Sequence, residues 1–149
     1  MLTALRASIF ELNQNVKGRS CFFVITKYMK VTICKTPRWQ LLKGQIQNLS
    51  PEAFKEKIAT IEDAVLIDVR SPEEHAVNPL PNSLNINYLG AGFWEEMEKL
   101  DTSKAYLIYC RTGRRSLRAC TLMKNGGFDH AKVFNLDGGM VAWEEVFGY

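Results

Sequence analysis

The sequence is poor in the residues that build metal sites and covalent cross-links. It has four cysteines, Cys21, Cys34, Cys110 and Cys120, and no two of them stand in Cys-X-X-Cys spacing. Four cysteines are too few for a disulfide framework in a chain of this length, and the missing pair motif argues against structural zinc. We therefore expect reduced thiols, no bound metal and a cytoplasmic protein.

A long uninterrupted hydrophobic run is also missing. The most apolar stretch, "CFFVITKYMKVTI" at 21–33, is interrupted by Lys27 and Lys30. It is shorter than the roughly 20 residues that a membrane-spanning helix needs. The sequence therefore predicts no membrane helix.

Acidic residues are scarce in the first third of the chain. Residues 1–44 contain eight Lys or Arg and one acid, Glu11, whereas residues 45–149 contain eleven Lys or Arg and fifteen acids. A basic, acid-poor N-terminal segment of this kind resembles a targeting segment, and that interpretation stays an alternative. Translation that starts at Met29 is a second alternative. The preferred interpretation is a poorly ordered extension over 1–44 that takes no part in the chemistry. Its basic residues are too sparse to predict nucleic-acid binding.

From about residue 45 the chain alternates between strand-like and helix-like segments. Short apolar runs at 64–69, 105–109 and 132–136 predict buried strands, with a weaker one at 83–86. Helical patterns follow at 50–58, 92–100, 114–127 and 140–147. Strands that alternate with helices indicate one α/β domain over 45–149 with a mainly parallel sheet. Ligands of such sheets bind at the carboxyl ends of the strands.

The stretch "CRTGRRS" at 110–116 lies at such a carboxyl end, between the strand "AYLIY" and a predicted helix. A polar, glycine-containing loop that leads into a helix N-terminus predicts an anion cradle of backbone N–H groups. The neighbours Arg111, Arg114 and Arg115 favour the thiolate of Cys110 and attract an anionic substrate. The alternative is that Cys110 is a small buried core residue beside solvated arginines.

The spacing of this loop separates two chemistries that a nucleophilic cysteine could perform on an anion. Tyrosine-phosphatase-like enzymes place an arginine after a cysteine and five intervening residues. In this chain that position is Ser116, and Arg115 comes one residue early. The tighter loop favours a smaller centre such as sulfane sulfur.

Four motifs together carry a resemblance to a known family. They are "LIDVRSPEEH" at 66–75, "LPNSLNIN" at 80–87, "YCRTGRRS" at 109–116 and "NLDGGMVAW" at 135–143. In this order they resemble single-domain rhodaneses, which are sulfurtransferases. The resemblance implies the rhodanese-like α/β fold, a parallel sheet of about five strands with helices on both faces. One motif departs: the family's Gly-His-Ile-Pro-Gly-Ala is replaced by "NPLPNS" at 78–83, which retains only the second proline.

The resemblance implies that Cys110 takes sulfur from thiosulfate as a persulfide and passes it to cyanide or a thiol, without a cofactor. The loop positions Arg111, Thr112, Gly113, Arg114, Arg115 and Ser116 would hold the donor anion. Two residues of the "DVR" motif, Asp68 and Arg70, would support the loop or form an ordinary structural ion pair.

Several other residues could take part in chemistry, but we expect most of them to have structural roles. Cys120 is expected in the core, His75 and His130 at the surface, and Gly138, Gly139 and Trp143 in a turn and the core of the last helix. Cys34 stays open as a second thiol. Two alternatives to thiosulfate transfer remain: a sulfur relay from a partner protein, and a non-catalytic docking module, against which Cys110 argues.

Overall fold

The computed structural model describes residues 14–15, 20–21 and 38–148. The chain divides into two compact units, Met1–Thr36 and Pro37–Tyr149. In the first unit, β1 (Gln14–Asn15) pairs antiparallel with β2 (Ser20–Cys21). The predictions for the rest of the front, among them the interpretations of Met29 and Cys34, lie outside the described residues.

The second unit is built on a five-stranded sheet. Its strands are β3 (Gln47–Leu49), β4 (Val65–Asp68), β5 (Leu84–Asn85), β6 (Tyr106–Tyr109) and β7 (Val133–Leu136). They lie in the order β3-β7-β6-β4-β5, and each neighbouring pair is parallel. This confirms the predicted α/β class, and it makes β6 the central strand.

Six α-helices surround the sheet within the described part of the chain. They are α1 (Arg38–Lys43), α2 (Pro51–Thr60), α3 (Pro72–Val77), α4 (Phe93–Glu98), α5 (Arg114–Asn125) and α6 (Gly139–Phe147), with a 3-10 turn at His130–Lys132. The first of them, α1, precedes the predicted domain start but packs against α5. Among the described helices, none combines the length and the apolar character needed to cross a membrane.

The core has two layers, because alternate residues of β6 face opposite sides of the sheet. On one side Tyr106 and Ile108 join a cluster to which α4 and α5 contribute. On the other side Leu107 and Tyr109 pack with residues of α2 and α6. All four residues of β6 are buried, so the strand is covered on both faces, as its continuous apolar sequence predicts.

The carboxyl edge of the sheet collects the residues that the sequence singles out. Asp68 at the end of β4 lies in register with Tyr109 at the end of β6. The segments that follow these strands therefore leave the sheet side by side, with Arg70 after β4 and Cys110 after β6. This edge is where parallel sheets bind their ligands.

Candidate active site

Cys110 is the first residue after the central strand, and its side chain is fully buried. The hydroxyl of Ser116, which is also fully buried, donates a hydrogen bond to the Cys110 sulfur at 3.4 Å. A hydroxyl donor stabilises negative charge on a sulfur more than it stabilises a neutral thiol. This contact therefore supports a sulfur that attacks as a thiolate.

The loop that follows Cys110 has the form of an anion cradle. Gly113 adopts a left-handed conformation with φ of 79°, and α5 begins at the next residue, Arg114. Within residues 38–148, the backbone N–H groups of residues 111–116 donate to no protein acceptor. Unpaired N–H groups at the start of a twelve-residue helix are a favourable environment for an anion.

The turn between β7 and α6 fixes this loop from the other side. The N–H of Met140 donates to the carbonyl oxygen of Cys110 at 2.8 Å, and the N–H of Val141 donates to that of Arg111 at 3.0 Å. Gly139, at φ of 63°, permits this approach, since a Cβ there would overlap the Cys110 carbonyl oxygen and lie 2.7 Å from that of Arg111. The "DGG" motif thus supports the loop that follows Cys110 as well as forming the predicted turn.

Arg115 is bound by an acid that the sequence interpretation did not single out. Its Nη1 and Nη2 atoms donate to the two carboxylate oxygens of Glu74 at 2.6 and 2.8 Å. Hydrogen bonds from Arg115 lower the pKa of Glu74 to about 2. The pKa of Arg115 is raised, first by Glu74 and also by the neighbouring Cys110 sulfur. The guanidinium therefore interacts with the Glu74 carboxylate and, more weakly, with the Cys110 sulfur.

Glu74 is held in place by its own helix. Ser71 caps α3, its hydroxyl accepts a hydrogen bond from the Glu74 N–H, and Glu74 in turn accepts one from the Ser71 N–H. This is a capping box, whose Ser-X-X-Glu signature is visible in "SPEE" at 71–74. The signature was not recognised as a helix start from the sequence, and it carries no information about Arg115, which is 41 residues away.

The other two arginines of the loop have different surroundings. The guanidinium of Arg114 lies over the ring of Trp39 on α1, 5.5 Å from the ring centroid. Arg111 is exposed and has no acidic side chain within 4 Å among the described residues. Thr112 is exposed at the tip of the loop. The loop arginines therefore do not converge on one point.

Asp68 and Arg70 form a buried ion pair at the neighbouring strand end. The Arg70 Nη2 lies 2.8 Å from Asp68 Oδ2, and both side chains are almost completely buried. Arg70 also donates two hydrogen bonds to Asn78, at 2.7 and 2.9 Å, and lies over the ring of Tyr109. Both residues thus lie beside the loop rather than within it, where they fix the α3 segment that carries Glu74.

The structure corrects the expectation that His75 is a solvated surface residue. Its Nδ1 lies 2.9 Å from Asp68 Oδ2, and its side chain is 23% exposed. His130 likewise has a protein partner, because its Nε2 lies against the carbonyl oxygen of Gln45. The sequence suggests a surface position because His75 follows two glutamates. Its contact with Asp68 is formed by the tertiary fold and cannot be seen in the local sequence.

Cys120 occupies the core, as predicted. It is fully buried on α5, and its thiol contacts the carbonyl oxygen of Phe134 at 3.8 Å. Burial raises the pKa of Cys120 far above the ordinary thiol value. This environment opposes a nucleophilic role for the second buried thiol.

In the described residues, no three His, Cys, Asp or Glu side chains form a set that could hold a metal ion. Among the described residues, the geometry provides a sulfur at the base of a loop whose N–H groups have no protein acceptor, with the Arg115 guanidinium nearby. Such an arrangement can attack an electrophilic sulfur and hold the resulting anion.

Comparison with known proteins agrees with this geometry. The profile of the rhodanese-like domain family matches residues 50–146. A Bacillus subtilis protein named "Putative sulfurtransferase YtwF" is 41% identical over 100 residues, which cover 67% of this chain and 92% of that protein. A protein named sulfurtransferase from Allochromatium vinosum is 31% identical over 98 residues, covering 66% of this chain and 88% of its own.

The same relationship appears among solved structures. A rhodanese-like domain protein from Staphylococcus aureus superimposes with a TM-score of 0.58 and 26% identity. The alignment covers 66% of this chain and 91% of that one. The matched region starts after α1, so α1 and Trp39 lie outside the family profile.

Proposed function

The chain belongs to the family of rhodanese-like domains, and on that premise we propose that it is a thiosulfate sulfurtransferase that carries sulfur as a persulfide on Cys110. The relatives' names support sulfur transfer in general. The specific donor and the persulfide are our proposal. The observation that carries it is the Cys110 sulfur, to which Ser116 donates a hydrogen bond, at the base of a loop whose N–H groups have no acceptor within residues 38–148.

The reaction has two half-reactions. In the first, the Cys110 thiolate attacks the outer sulfur of thiosulfate, the sulfur–sulfur bond of the donor breaks, and its electron pair leaves with sulfite. In the second, cyanide or a thiolate attacks the outer sulfur of the persulfide, and the electron pair of that bond returns to the Cys110 sulfur. Neither half-reaction calls for a cofactor.

The residues of the loop have distinct roles in this proposal. The N–H groups of residues 111–116 bind the donor anion and then the persulfide, and Ser116 stabilises charge on the Cys110 sulfur. Arg111, which has no acidic partner among the described residues, supplies the positive charge for the donor. Asp68 and Arg70 are positioning residues, because they act through the α3 segment.

Steady-state kinetics test the proposal. We expect thiocyanate to form from thiosulfate and cyanide, and we expect Cys110→Ser to abolish it. Thiosulfate should be a better donor than 3-mercaptopyruvate, since its compact double negative charge suits a cationic loop. A protein that prefers 3-mercaptopyruvate contradicts the donor assignment. A protein that takes sulfur only from another protein's persulfide is a relay instead. The cytoplasmic location stays a prediction.

A further inference from the structure

A cavity of about 320 Å³ lies beside the catalytic loop, between the end of α3 and the start of α6. Arg111, the residue after Cys110, forms part of its wall, and Glu74, which binds Arg115, forms another part. Val77, Met140 and Val141 add apolar surface. This volume lies within the range of small-molecule sites.

Four charged side chains line this cavity, and within the described part of the chain two of them belong to ion pairs and two do not. Arg70 is paired with Asp68, and Glu74 is paired with Arg115. Arg111 and the fourth charged residue, Glu144, have no oppositely charged side chain within 4 Å among the described residues. They are therefore also more than 4 Å from each other, although they line the same space. A ligand with both charges could bridge them.

A hydrogen bond with Asn78, another residue of the cavity wall, holds the Glu144 carboxylate at the cavity. Its Oε1 accepts a hydrogen bond from Asn78 Nδ2 at 2.9 Å, and Asn78 is itself held by Arg70. Because an amide donor leaves the carboxylate charge uncompensated, Glu144 keeps its attraction for a cation. The backbone of Arg111 is fixed by a hydrogen bond from Val141, which lies on α6 with Glu144.

We propose that this cavity is the acceptor subsite and that it takes a small zwitterionic thiol of the cysteine class. The acceptor's carboxylate binds Arg111, its ammonium binds Glu144, and its sulfur is directed to Cys110. This inference rests on the proposed function, because it needs a persulfide to attack. The outer sulfur of that persulfide lies about 2 Å beyond the Cys110 sulfur, which brings it nearer to an incoming thiol.

The transfer step is balanced without a further reactant. The acceptor thiolate forms a bond to the outer sulfur, the persulfide bond breaks, and its electron pair stays on the Cys110 sulfur. The acceptor leaves as its own persulfide anion, whose outer sulfur keeps the negative charge that it carried on Cys110, and no proton is transferred. Since sulfite departs before the acceptor binds, Arg111 can serve the donor first and the acceptor carboxylate second.

The test compares four acceptors on protein loaded with sulfur from thiosulfate. Cysteine carries both charges, N-acetylcysteine only the carboxylate, cysteine ethyl ester only the ammonium, and 2-mercaptoethanol neither. The measurement is the second-order rate constant for loss of the bound sulfur, compared at equal thiolate concentration. We expect cysteine to react fastest, with each lost charge slowing the reaction by about fivefold, the scale of a partly exposed charge contact.

A matched pair of variants assigns the ammonium contact. Glu144→Gln should lower the rate constants for cysteine and its ethyl ester by about fivefold. It should leave the rate constants for N-acetylcysteine and 2-mercaptoethanol unchanged. Glu145→Gln, at the exposed next position of α6, should change none of the four rates. Equal rates for all four thiols in the wild type, or equal slowing of all four by Glu144→Gln, would overturn the inference.

Cyanide separates a failure of this inference from a failure of the proposed function. It carries neither an ammonium nor a carboxylate, so its reaction with the persulfide should not depend on Glu144. If cyanide removes the sulfur normally while the thiols show no charge preference, only the acceptor subsite is wrong. If thiosulfate loads no sulfur at all, the proposed function itself is wrong.

Discussion

Arg115 and Glu74 form a two-pronged ion pair, with nitrogen–oxygen distances of 2.6 and 2.8 Å, and the Arg115 guanidinium also interacts with the Cys110 sulfur. The pair joins the start of α5 to the first turn of α3. It fixes the guanidinium through two hydrogen bonds, and it neutralises one of the three positive charges of the loop. The cationic character of the loop is therefore lower than its sequence indicates.

The Glu74–Arg115 pair should stabilise the protein in a pH-dependent way. The pKa of Glu74 in the folded protein is about 2, below its ordinary value of 4.5. A lowered pKa contributes stability that is complete above the unfolded value and is lost as the pH falls from about 4.5 to 2. Because the carboxylate is partly exposed, we expect Glu74→Gln to lower the free energy of unfolding by about 1 kcal/mol at pH 7.

Urea unfolding of wild type and Glu74→Gln across this pH range measures the effect. The difference between the two proteins should close as the pH falls from about 4.5 toward 2, because protonated Glu74 resembles glutamine. Glu56→Gln, an exposed change on α2, serves as the control and should alter stability little at any pH. A stability difference between wild type and Glu74→Gln that is independent of pH contradicts the interpretation.

The three loop arginines should contribute unequally to the use of thiosulfate. Arg111 is exposed and has no acidic partner among the described residues, whereas Arg114 lies over Trp39. We expect Arg111→Gln to raise the KM for thiosulfate about tenfold and Arg114→Gln about twofold or less. The Arg111 effect should decrease at higher salt. Steady-state kinetics at two ionic strengths measure both, and a larger effect of Arg114→Gln contradicts the assignment.

The hydroxyl of Ser116 should matter for the reactivity of Cys110. Its hydrogen bond to the sulfur is 3.4 Å long and buried, so its loss leaves the developing charge without a donor. We expect Ser116→Ala to lower kcat for thiosulfate about tenfold, the effect of one buried hydrogen bond to a charge. Ser103→Ala, at the opposite end of the sheet, is the control. Equal kcat values for Ser116→Ala and wild type show that the contact has no catalytic role.

Phosphatase activity should be negligible. The loop from Cys110 places Ser116, not an arginine, at the position where phosphatase-like loops have their phosphate-binding arginine. Arg115, one residue earlier, is bound to Glu74. We expect hydrolysis of an aryl phosphate to be far slower than sulfur transfer. Cys110-dependent turnover of aryl phosphate at a rate comparable with sulfur transfer reverses this ranking of the two reactions.

The elements with strong local patterns were predictable from the sequence. The buried strands β4, β6 and β7 are short apolar runs, and Ser50 with Pro51 marks the start of α2. Among the α-helices and strands of the second unit, α1, α3 and β3 were missed. The two helices have only six residues each, and the strand has three, so their periodicity is too short to recognise.

The site was predictable where its residues are adjacent in sequence and unpredictable where they are not. Cys110 and its loop are contiguous, and the chemistry of that loop can be inferred from residue types alone. Glu74, Trp39 and His75 reach their partners only through the fold. No local pattern indicates that Arg115 is neutralised by an acid distant in sequence, and the predicted charge of the loop was for that reason too high.

Whether Cys110 carries a persulfide is decided by the intact mass of the protein before and after incubation with thiosulfate. We expect a gain of one sulfur atom that cyanide removes, and this gain should be abolished in Cys110→Ser and retained in Cys120→Ser. The Cys120→Ser variant controls for the second buried thiol. Sulfur loading that persists in Cys110→Ser would contradict the assignment of the persulfide to Cys110.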